Sequence, residues 1–294
     1  FENHRWDDDD YYSEYQDTQV VLGDSQQYIN NTTLLDLMKK TEELSPGFLE
    51  KYNLEHLKDA SFSETVNYAT ITARNFESYY LITPTKTKEV ASYMGDRVKV
   101  TNHHIYGNET EIFPRYVKYD VTYISDYKAK NDWIDLGGSN ISFQDEGEML
   151  YEMYNILSEN YVEGSVEYEA ICAFYVEYTA AQNYAKACEQ NTTLISDKVK
   201  ELALEITKDC TYEWEKSEAI DRYFLTGGFN YDLEYDAPDD SVEYFLFEGK
   251  TGTCSDFASA YVLLARAAGL TVRYVEGFVP TREVSATYEW QYVV

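Results

Sequence analysis

The sequence predicts an α+β protein with strands mainly in its first part and helices around a single cysteine in its second. Stretches such as "VNYATITARNFESYYLITPT" alternate and are rich in β-branched and aromatic residues, which is typical of strands. After Gly147 the apolar residues recur at helical spacing instead, as in "EMLYEMYNILSENY". This change of character predicts two regions, residues 1–145 and residues 146–294.

The first region, residues 1–145, is expected to be mostly β with some helix. Its acidic opening, "DDDDYYSEYQDTQ", is expected to be loop or edge. "NTTLLDLMKKTEELSPGFLEKYN" has the apolar spacing of a helix, which Ser45-Pro46-Gly47 interrupts. Strands are then predicted up to Pro84 and again in "RVKVTNHHIYG" and "PRYVKYDVTYISDY".

The second region, residues 146–294, is expected to hold several helices. "SDKVKELALEITKDC" is amphipathic and has Ser196 as a cap, and "EWEKSEAIDRYFLTGGFNYDL" is stopped at Gly227-Gly228. "CSDFASAYVLLARAAG" is apolar on nearly all sides, so we expect a buried central helix that ends at Gly269. "SVEYFLFEGKTGTC" before it reads as an apolar stretch and a turn, and "TVRYVEGF" after it reads as a strand.

Composition narrows the possible partners. The chain has 294 residues, enough for a substantial core, and a formal net charge of -29. Nucleic-acid binders and proteins that dock on anionic lipid need clustered Lys and Arg, so neither class is expected. The sequence has no apolar run long enough to span a membrane. The first residues have no features of a leader, and the last residues read as an unfinished strand. We therefore expect a segment of a longer protein.

The four cysteines do not form a metal motif or a disulfide framework. They contain no CxxC, and no histidines lie at zinc-finger spacing, so no metal and no cofactor are expected. A calcium loop at "DAPDDSVEY" is an open alternative on composition alone. One disulfide among the first three cysteines also stays open. The four are Cys172, Cys188, Cys210 and Cys254.

Cys254 is the candidate for chemistry. It lies where a turn with two glycines meets the apolar helix. The N-terminus of a helix has positive partial charge and free N–H groups, which stabilise a thiolate and an acyl oxyanion. Free cysteines are also often inert core residues. From the residues alone, both interpretations of Cys254 stay open.

A family resemblance adds to this pattern. The motif elements Gly252-Thr253-Cys254, Asp256-Phe257-Ala258 and Arg266-Ala267-Ala268-Gly269, followed by Arg273 to Gly277-Phe278, resemble the nucleophile region of the transglutaminase-like superfamily. "AIDRYFLTGGFNYDLEYD" resembles the helix and the "Tyr-x-Leu" extended segment that precede it in bacterial members. The resemblance covers roughly residues 194–280. It implies a papain-like core in which the cysteine helix packs against an antiparallel sheet.

The resemblance also implies a His and an Asp on following strands, which would complete a Cys–His site. This sequence has four histidines, and all precede Cys254: His4, His56, His103 and His104. The family's His is expected after the strand that Tyr288 to Val294 begins. We therefore assign Cys254 as the only catalytic residue and expect the chain by itself to be inactive.

Other residues receive weaker assignments. Asp256 is expected to cap the helix rather than to act in catalysis, since its charge suits the helix dipole. Arg273 is expected to have a structural role, with the lining of a cleft as the alternative. Tyr231 and Tyr244 are candidates for lining a substrate cleft, among 30 tyrosines in all.

The expected function is that of a cysteine enzyme, a peptidase, amidase or acyl transferase acting on peptide amides through a thioester on Cys254. The partner would be a peptide or protein substrate. The resemblance implies a bacterial protein at the cell surface or outside the cell, and it implies membrane anchoring of the parent protein. Two alternatives remain: a non-catalytic binding or scaffold module of the same fold, and an acidic adhesion or capture domain for basic ligands.

Overall fold

Helices make up most of the chain that the computed structural model describes. The described residues are 31–73, 77, 79–84, 87–92, 99–100, 106–107, 112–124, 126–239, 241–272, 274, 279–280 and 292–293. The helices are α1 (Asn31–Leu44), α2 (Phe48–Lys51), α3 (Asp126–Asp135), α4 (Phe143–Asn160), α5 (Val166–Asn191), α6 (Asp197–Thr207), α7 (Glu213–Thr226), α8 (Val242–Tyr244) and α9 (Cys254–Ala267). Within these residues, no helix is long and apolar enough to cross a membrane.

Short strands accompany the helices. They are β1 (Val66–Ala73), β2 (Thr87–Ser92), β3 (Lys99–Val100), β4 (Tyr106–Gly107), β5 (Val117–Ile124), β6 (Asn230–Tyr231), β7 (Thr251–Gly252), β8 (Val279–Pro280) and β9 (Tyr292–Val293). Helices and a small antiparallel sheet together confirm the predicted α+β class.

The chain divides into two compact units. One contains the described residues within 24–64 and 127–274, and the other those within 65–126 and 275–294. Residues 31–64 belong to the first unit because α1 packs against α4 and α5 through apolar side chains. The sequence boundary near residue 145 stays a prediction.

The second unit contains a three-stranded antiparallel sheet in the order β1-β5-β2. Along β5, Val117, Tyr119 and Val121 are buried while the residues between them are exposed, as the alternation predicts. The Tyr119 hydroxyl donates a hydrogen bond to the Ile82 carbonyl at 2.6 Å. Two-residue antiparallel pairs, β3 with β4 and β8 with β9, also lie in this unit.

The first unit has two apolar clusters, and the second of these is built around α9. This helix packs against α6, α7 and α8. The predicted central burial is confirmed, because the middle and last part of the helix is enclosed on most sides. Its buried residues are Ser259, Ala260, Val262, Leu263, Leu264, Ala265 and Arg266.

The predicted helix ends of this unit are confirmed. The Ser196 side chain caps α6 by accepting a hydrogen bond from the Val199 N–H at 3.4 Å. Helix α7 ends at Gly227. Gly269 follows α9 with a φ of 85°, the left-handed conformation that glycine adopts without a steric penalty.

The structure adds detail to the segment before α9 and differs from the predicted strand after it. The stretch before it, "SVEYFLFEG", is helical: α8 runs into a π-helical turn at Phe245–Gly249. Its apolar residues Val242, Phe245 and Leu246 are buried. After α9, Thr271 and Val272 are not in a strand, and residues 275–278 lie outside the described part.

Candidate functional site

Cys254 is the first residue of α9, and its side chain is exposed. This is the placement that the sequence predicted. The rest of the helix turns inward, and residues from Ser259 to Arg266 are largely buried. The structure therefore does not use Cys254 to fill the core. A thiol at this position lies beside the N–H groups of the first helical turn, which have no acceptor within the helix.

Asp256 holds the start of this helix. Its Oδ2 accepts a hydrogen bond from the Thr253 N–H at 2.7 Å and another from Thr253 Oγ1 at 3.0 Å. Thr253 is the N-cap, so the carboxylate bonds back to the residue at which the helix begins. The predicted capping role of Asp256 is confirmed.

A short parallel bridge sets the position of the backbone before Cys254. Tyr231 in β6 is paired with Gly252 in β7. The Asn230 N–H donates to the Lys250 carbonyl at 2.8 Å, and the Asp232 N–H donates to the Gly252 carbonyl at 3.0 Å. The extended segment after α7 is thereby fastened beside the cysteine.

Lys250 shapes the turn between the π-helical turn and β7. It adopts a left-handed conformation with a φ of 47°, which is uncommon for a residue with a side chain. Its Nζ donates to the Gly227 carbonyl at 3.0 Å and lies 5.3 Å from the centre of the Phe229 ring. This side chain thus ties the turn before Cys254 to the end of α7.

Aromatic rings support the first turn of α9 from within. Phe257, one turn after Cys254, has its ring centre 4.9 Å from that of Phe245 and 5.7 Å from that of Phe224. Phe229 lies 6.1 Å away on the same cluster. Such edge-on and tilted contacts between rings add stability beyond the apolar area they bury. The first turn of α9 therefore packs on a cluster of aromatic rings.

Tyr231 lies beside the thiol. Its ring centre is 6.2 Å from that of Phe257, which lies one turn after Cys254 in α9. Desolvation and the neighbouring thiol raise the pKa of Tyr231 above its ordinary value, so the hydroxyl is protonated at neutral pH. The sequence signal for this residue was the "Tyr-x-Leu" segment, although it did not indicate a contact with the thiol.

Other residues named from the sequence have different surroundings. The hydroxyls of Tyr244 and Tyr235 are hydrogen-bonded at 3.2 Å, and the Tyr244 ring lies against Gly249. Arg273 lies outside the described residues. In the acidic loop, Asp239 accepts a hydrogen bond from the Ser241 N–H at 2.7 Å, which is a local turn contact. The described residues contain no group of three or more potential metal ligands.

No histidine within the described residues lies in the cluster around α9, so no general base is assigned to Cys254. His56 lies in a 3-10 turn at Glu55–Leu57, next to Gly137. It is the one histidine within the described residues, since His4, His103 and His104 fall outside them. Its neighbours belong to the apolar cluster around α1, α4 and α5 rather than to the one around α9.

The other two thiols in the described part differ from Cys254 in their surroundings. Cys172 and Cys210 are both half-buried and free. Desolvation is the main cause that raises the pKa of each, and nearby carboxylates add to it. Cys188 has no described side chain. Since both are free, neither Cys172 nor Cys210 forms the disulfide that the sequence left open.

The far end of α9 has a structural arginine, a role that the motif alone did not indicate. Arg266 is 2% exposed. Its guanidinium donates to the Val272 carbonyl from Nε at 3.1 Å and from Nη2 at 3.0 Å, and Nη2 also donates to the Tyr184 hydroxyl at 3.0 Å. A cavity of about 260 Å³ adjoins it. Arg266 lies twelve positions after Cys254 along the helix, a rise of about 18 Å.

The part of the chain that contains Cys254 matches a known protein family. Residues 200–294 match the family model described as the Transglutaminase-like superfamily. A segment of 106 residues is 33% identical to "Uncharacterized protein YebA" of Bacillus subtilis (strain 168). That match covers 35% of this chain and 14% of the relative, so the chain spans about a seventh of that protein.

Among solved structures, the chain is similar to the periplasmic domain of TgpA from Pseudomonas aeruginosa. The TM-score is 0.46 at 13% sequence identity, over 72% of this chain and 56% of that one. A second structure of the same domain, bound to ethylmercury, gives a TM-score of 0.42 at 12% identity, over 72% and 58% of the two chains.

Proposed function

We propose that this chain, whose residues 200–294 match the model of the transglutaminase-like superfamily, carries the nucleophile of a cysteine enzyme that acts on peptide or protein amides. Cys254 would form a thioester with the acyl part of the substrate. The observation that carries the proposal is the exposed thiol at the first position of a helix that is otherwise buried. Core packing gives no reason for a cysteine at that position.

The geometry suits nucleophilic attack. The Cys254 thiolate would attack the carbonyl carbon, forming a C–S bond and placing negative charge on the oxygen. N–H groups at the start of α9 would stabilise this oxyanion. As the tetrahedral intermediate collapses, the C–N bond breaks and the amine leaves with a proton. Water would then cleave the thioester and regenerate the thiol.

Proton transfer would come from a histidine that the family pattern expects after Cys254. No histidine follows Cys254 in this sequence. Asp256 is a poor substitute as a base, because its Oδ2 already accepts two hydrogen bonds from Thr253. We therefore expect that this chain alone can be acylated but releases amines slowly.

Hydrolysis is the preferred outcome over transfer to a second amine, and the substrate would be a peptide or protein encountered outside a bacterial cell. Both parts of the proposal extend the family assignment. Addition of a primary amine during turnover by the full-length protein distinguishes hydrolysis from transfer. A product that incorporates the amine would replace hydrolysis with transfer.

The test is acylation of this chain by p-nitrophenyl acetate. The p-nitrophenolate group leaves without needing a proton, so the reaction does not depend on a histidine. We expect rapid addition of one acetyl group to Cys254, detected by peptide mass spectrometry after an acid quench. The matched control is Cys254→Ser, for which the fast phase of p-nitrophenolate release should be lost.

Slow acetylation of Cys254 would contradict the proposal. If acetylation of Cys254 is no faster than that of unfolded chain in guanidinium, the thiol is not an activated nucleophile. The non-catalytic binding module of the same fold would then replace the enzyme as the proposed function.

A further inference from the structure

We infer that Lys250 is a positioning residue for Cys254. The hydrogen bond from its ammonium group to the Gly227 carbonyl holds the backbone that leads into α9, and thereby fixes the N–H groups against which an acyl oxyanion would lie. This inference rests on the proposed function and assigns the residue that sets the geometry of the nucleophile. The effect of Lys250 passes through the backbone of residues 251–253 rather than through contact with the substrate.

The backbone of Lys250 has a conformation that favours glycine. Its φ of 47° and ψ of 19° lie in the left-handed region, where a Cβ crowds the main chain. The residue follows a helical turn that ends at Gly249, and glycine is the usual residue just after such an ending. A lysine that stands here against the preference of the backbone points to a role for its side chain.

The side chain of Lys250 reaches the end of α7. Its Nζ donates a hydrogen bond to the Gly227 carbonyl at 3.0 Å, which joins positions 23 residues apart. Because Gly227 is the C-cap of α7, the ammonium charge lies at the negative end of that helix's dipole. The Nζ also lies 5.3 Å from the centre of the Phe229 ring, where the positive charge is attracted to the ring face.

Both main-chain groups of Lys250 are engaged as well. Its N–H donates to the Phe245 carbonyl at 3.0 Å, which closes the π-helical turn. Its carbonyl accepts a hydrogen bond from the Asn230 N–H at 2.8 Å, at the start of β6. One residue therefore holds three segments together, namely the end of α7, the first residue of β6 and the π-helical turn.

Further hydrogen bonds hold the chain between Lys250 and the cysteine. The Gly252 carbonyl accepts from the Asp232 N–H at 3.0 Å, and the Thr253 N–H donates to Asp256 Oδ2 at 2.7 Å. A shift at Lys250 is therefore passed on to the first turn of α9. Misplacing a reacting group by about 1 Å can lower a reaction rate about a hundredfold, so even a partial shift should be measurable.

The experiment compares the wild type with Lys250→Met, which keeps the apolar stem of the side chain and removes the ammonium donor. Two reactions of Cys254 are followed by peptide mass spectrometry, acetylation by p-nitrophenyl acetate and alkylation by iodoacetamide. Only acetylation places negative charge on a carbonyl oxygen. Its rate divided by the alkylation rate therefore reports how that oxygen is held and cancels changes in the sulfur itself. We expect this ratio to fall about tenfold in Lys250→Met.

Lys216→Met is the matched control. The Lys216 Nζ donates to the Ala268 carbonyl at 3.0 Å, so this variant loses the same kind of hydrogen bond at the opposite end of α9. Its ratio should equal that of the wild type even where its melting temperature falls. Lys250→Arg keeps both a donor and a positive charge and should restore most of the ratio.

Three results would overturn the inference. They are an unchanged ratio in folded Lys250→Met, an equal fall in Lys216→Met, and a ratio in Lys250→Arg as low as that in Lys250→Met. Circular dichroism and the melting temperature establish that each variant is folded. If Lys250→Met does not fold, Lys250→Gly replaces it, because glycine suits the left-handed backbone and also lacks the donor. A wild-type ratio in Lys250→Gly would again be contrary to the inference.

Failure of this inference is distinct from failure of the proposed function. If wild-type Cys254 is acetylated rapidly while Lys250→Met keeps the wild-type ratio, Cys254 is the nucleophile and Lys250 does not position it. If wild-type Cys254 is acetylated no faster than unfolded chain, the nucleophile assignment is wrong, and the positioning role is wrong with it.

Discussion

Gly252 lies directly against Asp256, the residue that caps the cysteine helix. A methyl group on Gly252 would be 2.6 Å from Asp256 Oδ2 and 2.8 Å from its Cβ, closer than such atoms approach in proteins. The glycine of the Gly-x-Cys motif is therefore required by its contact with the capping carboxylate. Its neighbour in the sequence, Thr253, is the residue that this carboxylate binds.

Gly252→Ala should consequently disturb the start of α9. We expect a loss of about 1–3 kcal/mol in the free energy of unfolding, since the new methyl group must displace a well-packed group. Urea denaturation measures this loss. In an Asp256→Gly background the same substitution should cost much less, because the atoms it meets are absent. Additive costs in this double-mutant cycle would contradict the contact as its cause.

Asp256 itself can be tested as a cap. Asp256→Ala should lower the free energy of unfolding by about 1 kcal/mol, since the Thr253 N–H loses its acceptor. Asp256→Asn keeps an acceptor oxygen and should lose less. If Asp256→Asn lowered the acetylation rate of Cys254 many-fold while remaining as stable as the wild type, a chemical role would replace the capping role.

The cysteines should differ in reactivity. Burial raises the pKa of both Cys172 and Cys210, so a smaller fraction of each is thiolate at neutral pH, whereas Cys254 is exposed. At pH 7.5 we expect iodoacetamide to label Cys254 first, as followed by peptide mass spectrometry. Labelling in guanidinium is the control, and there the three should become similar. Equal rates in the folded protein would contradict the expected order.

Glu146 should make stability depend on pH. Desolvation, with a smaller contribution from the nearby charge of Glu213, raises its pKa from 4.5 to about 7. The folded state therefore binds more protons than the unfolded state between these values, and this residue's contribution to stability falls as pH rises through that window. Above pH 7 the penalty is complete, and below pH 4.5 it disappears.

Glu146→Gln removes that penalty. We expect its melting temperature to exceed that of the wild type by about 2–4 °C at pH 8, corresponding to roughly 1 kcal/mol, and to match it at pH 4. The control is Glu148→Gln on the same helix, where the side chain is exposed. A gain that is equal at both pH values would show that the raised pKa is not its cause.

Some features of the site were predictable because they depend on neighbours in sequence. The cap at Ser196, the stop at Gly227 and the end of α9 at Gly269 all involve contacts within one or two helical turns. The placement of Cys254 at the first position of a buried helix follows from the apolar run after it. The same local pattern carried the family resemblance, which the match over residues 200–294 confirms.

Other features required the tertiary structure. Nothing local distinguishes Tyr231 from the other 29 of the 30 tyrosines as the one beside the thiol. That choice depends on a bridge between segments more than twenty residues apart, which forms only when α7 and α9 pack together. The helical form of the apolar stretch before Gly252 was likewise decided by burial.

The sequence by itself thus determined the fold class and the placement of the cysteine, since both follow from periodicity and short-range signals along the chain. Only the tertiary structure decided which side chains surround that cysteine. It paired Tyr231 with Gly252 and packed Phe257 at the start of α9 against the ring of Phe245. The physical reason is that side-chain neighbours across a core are selected by packing, and packing is a property of the whole unit rather than of any single segment.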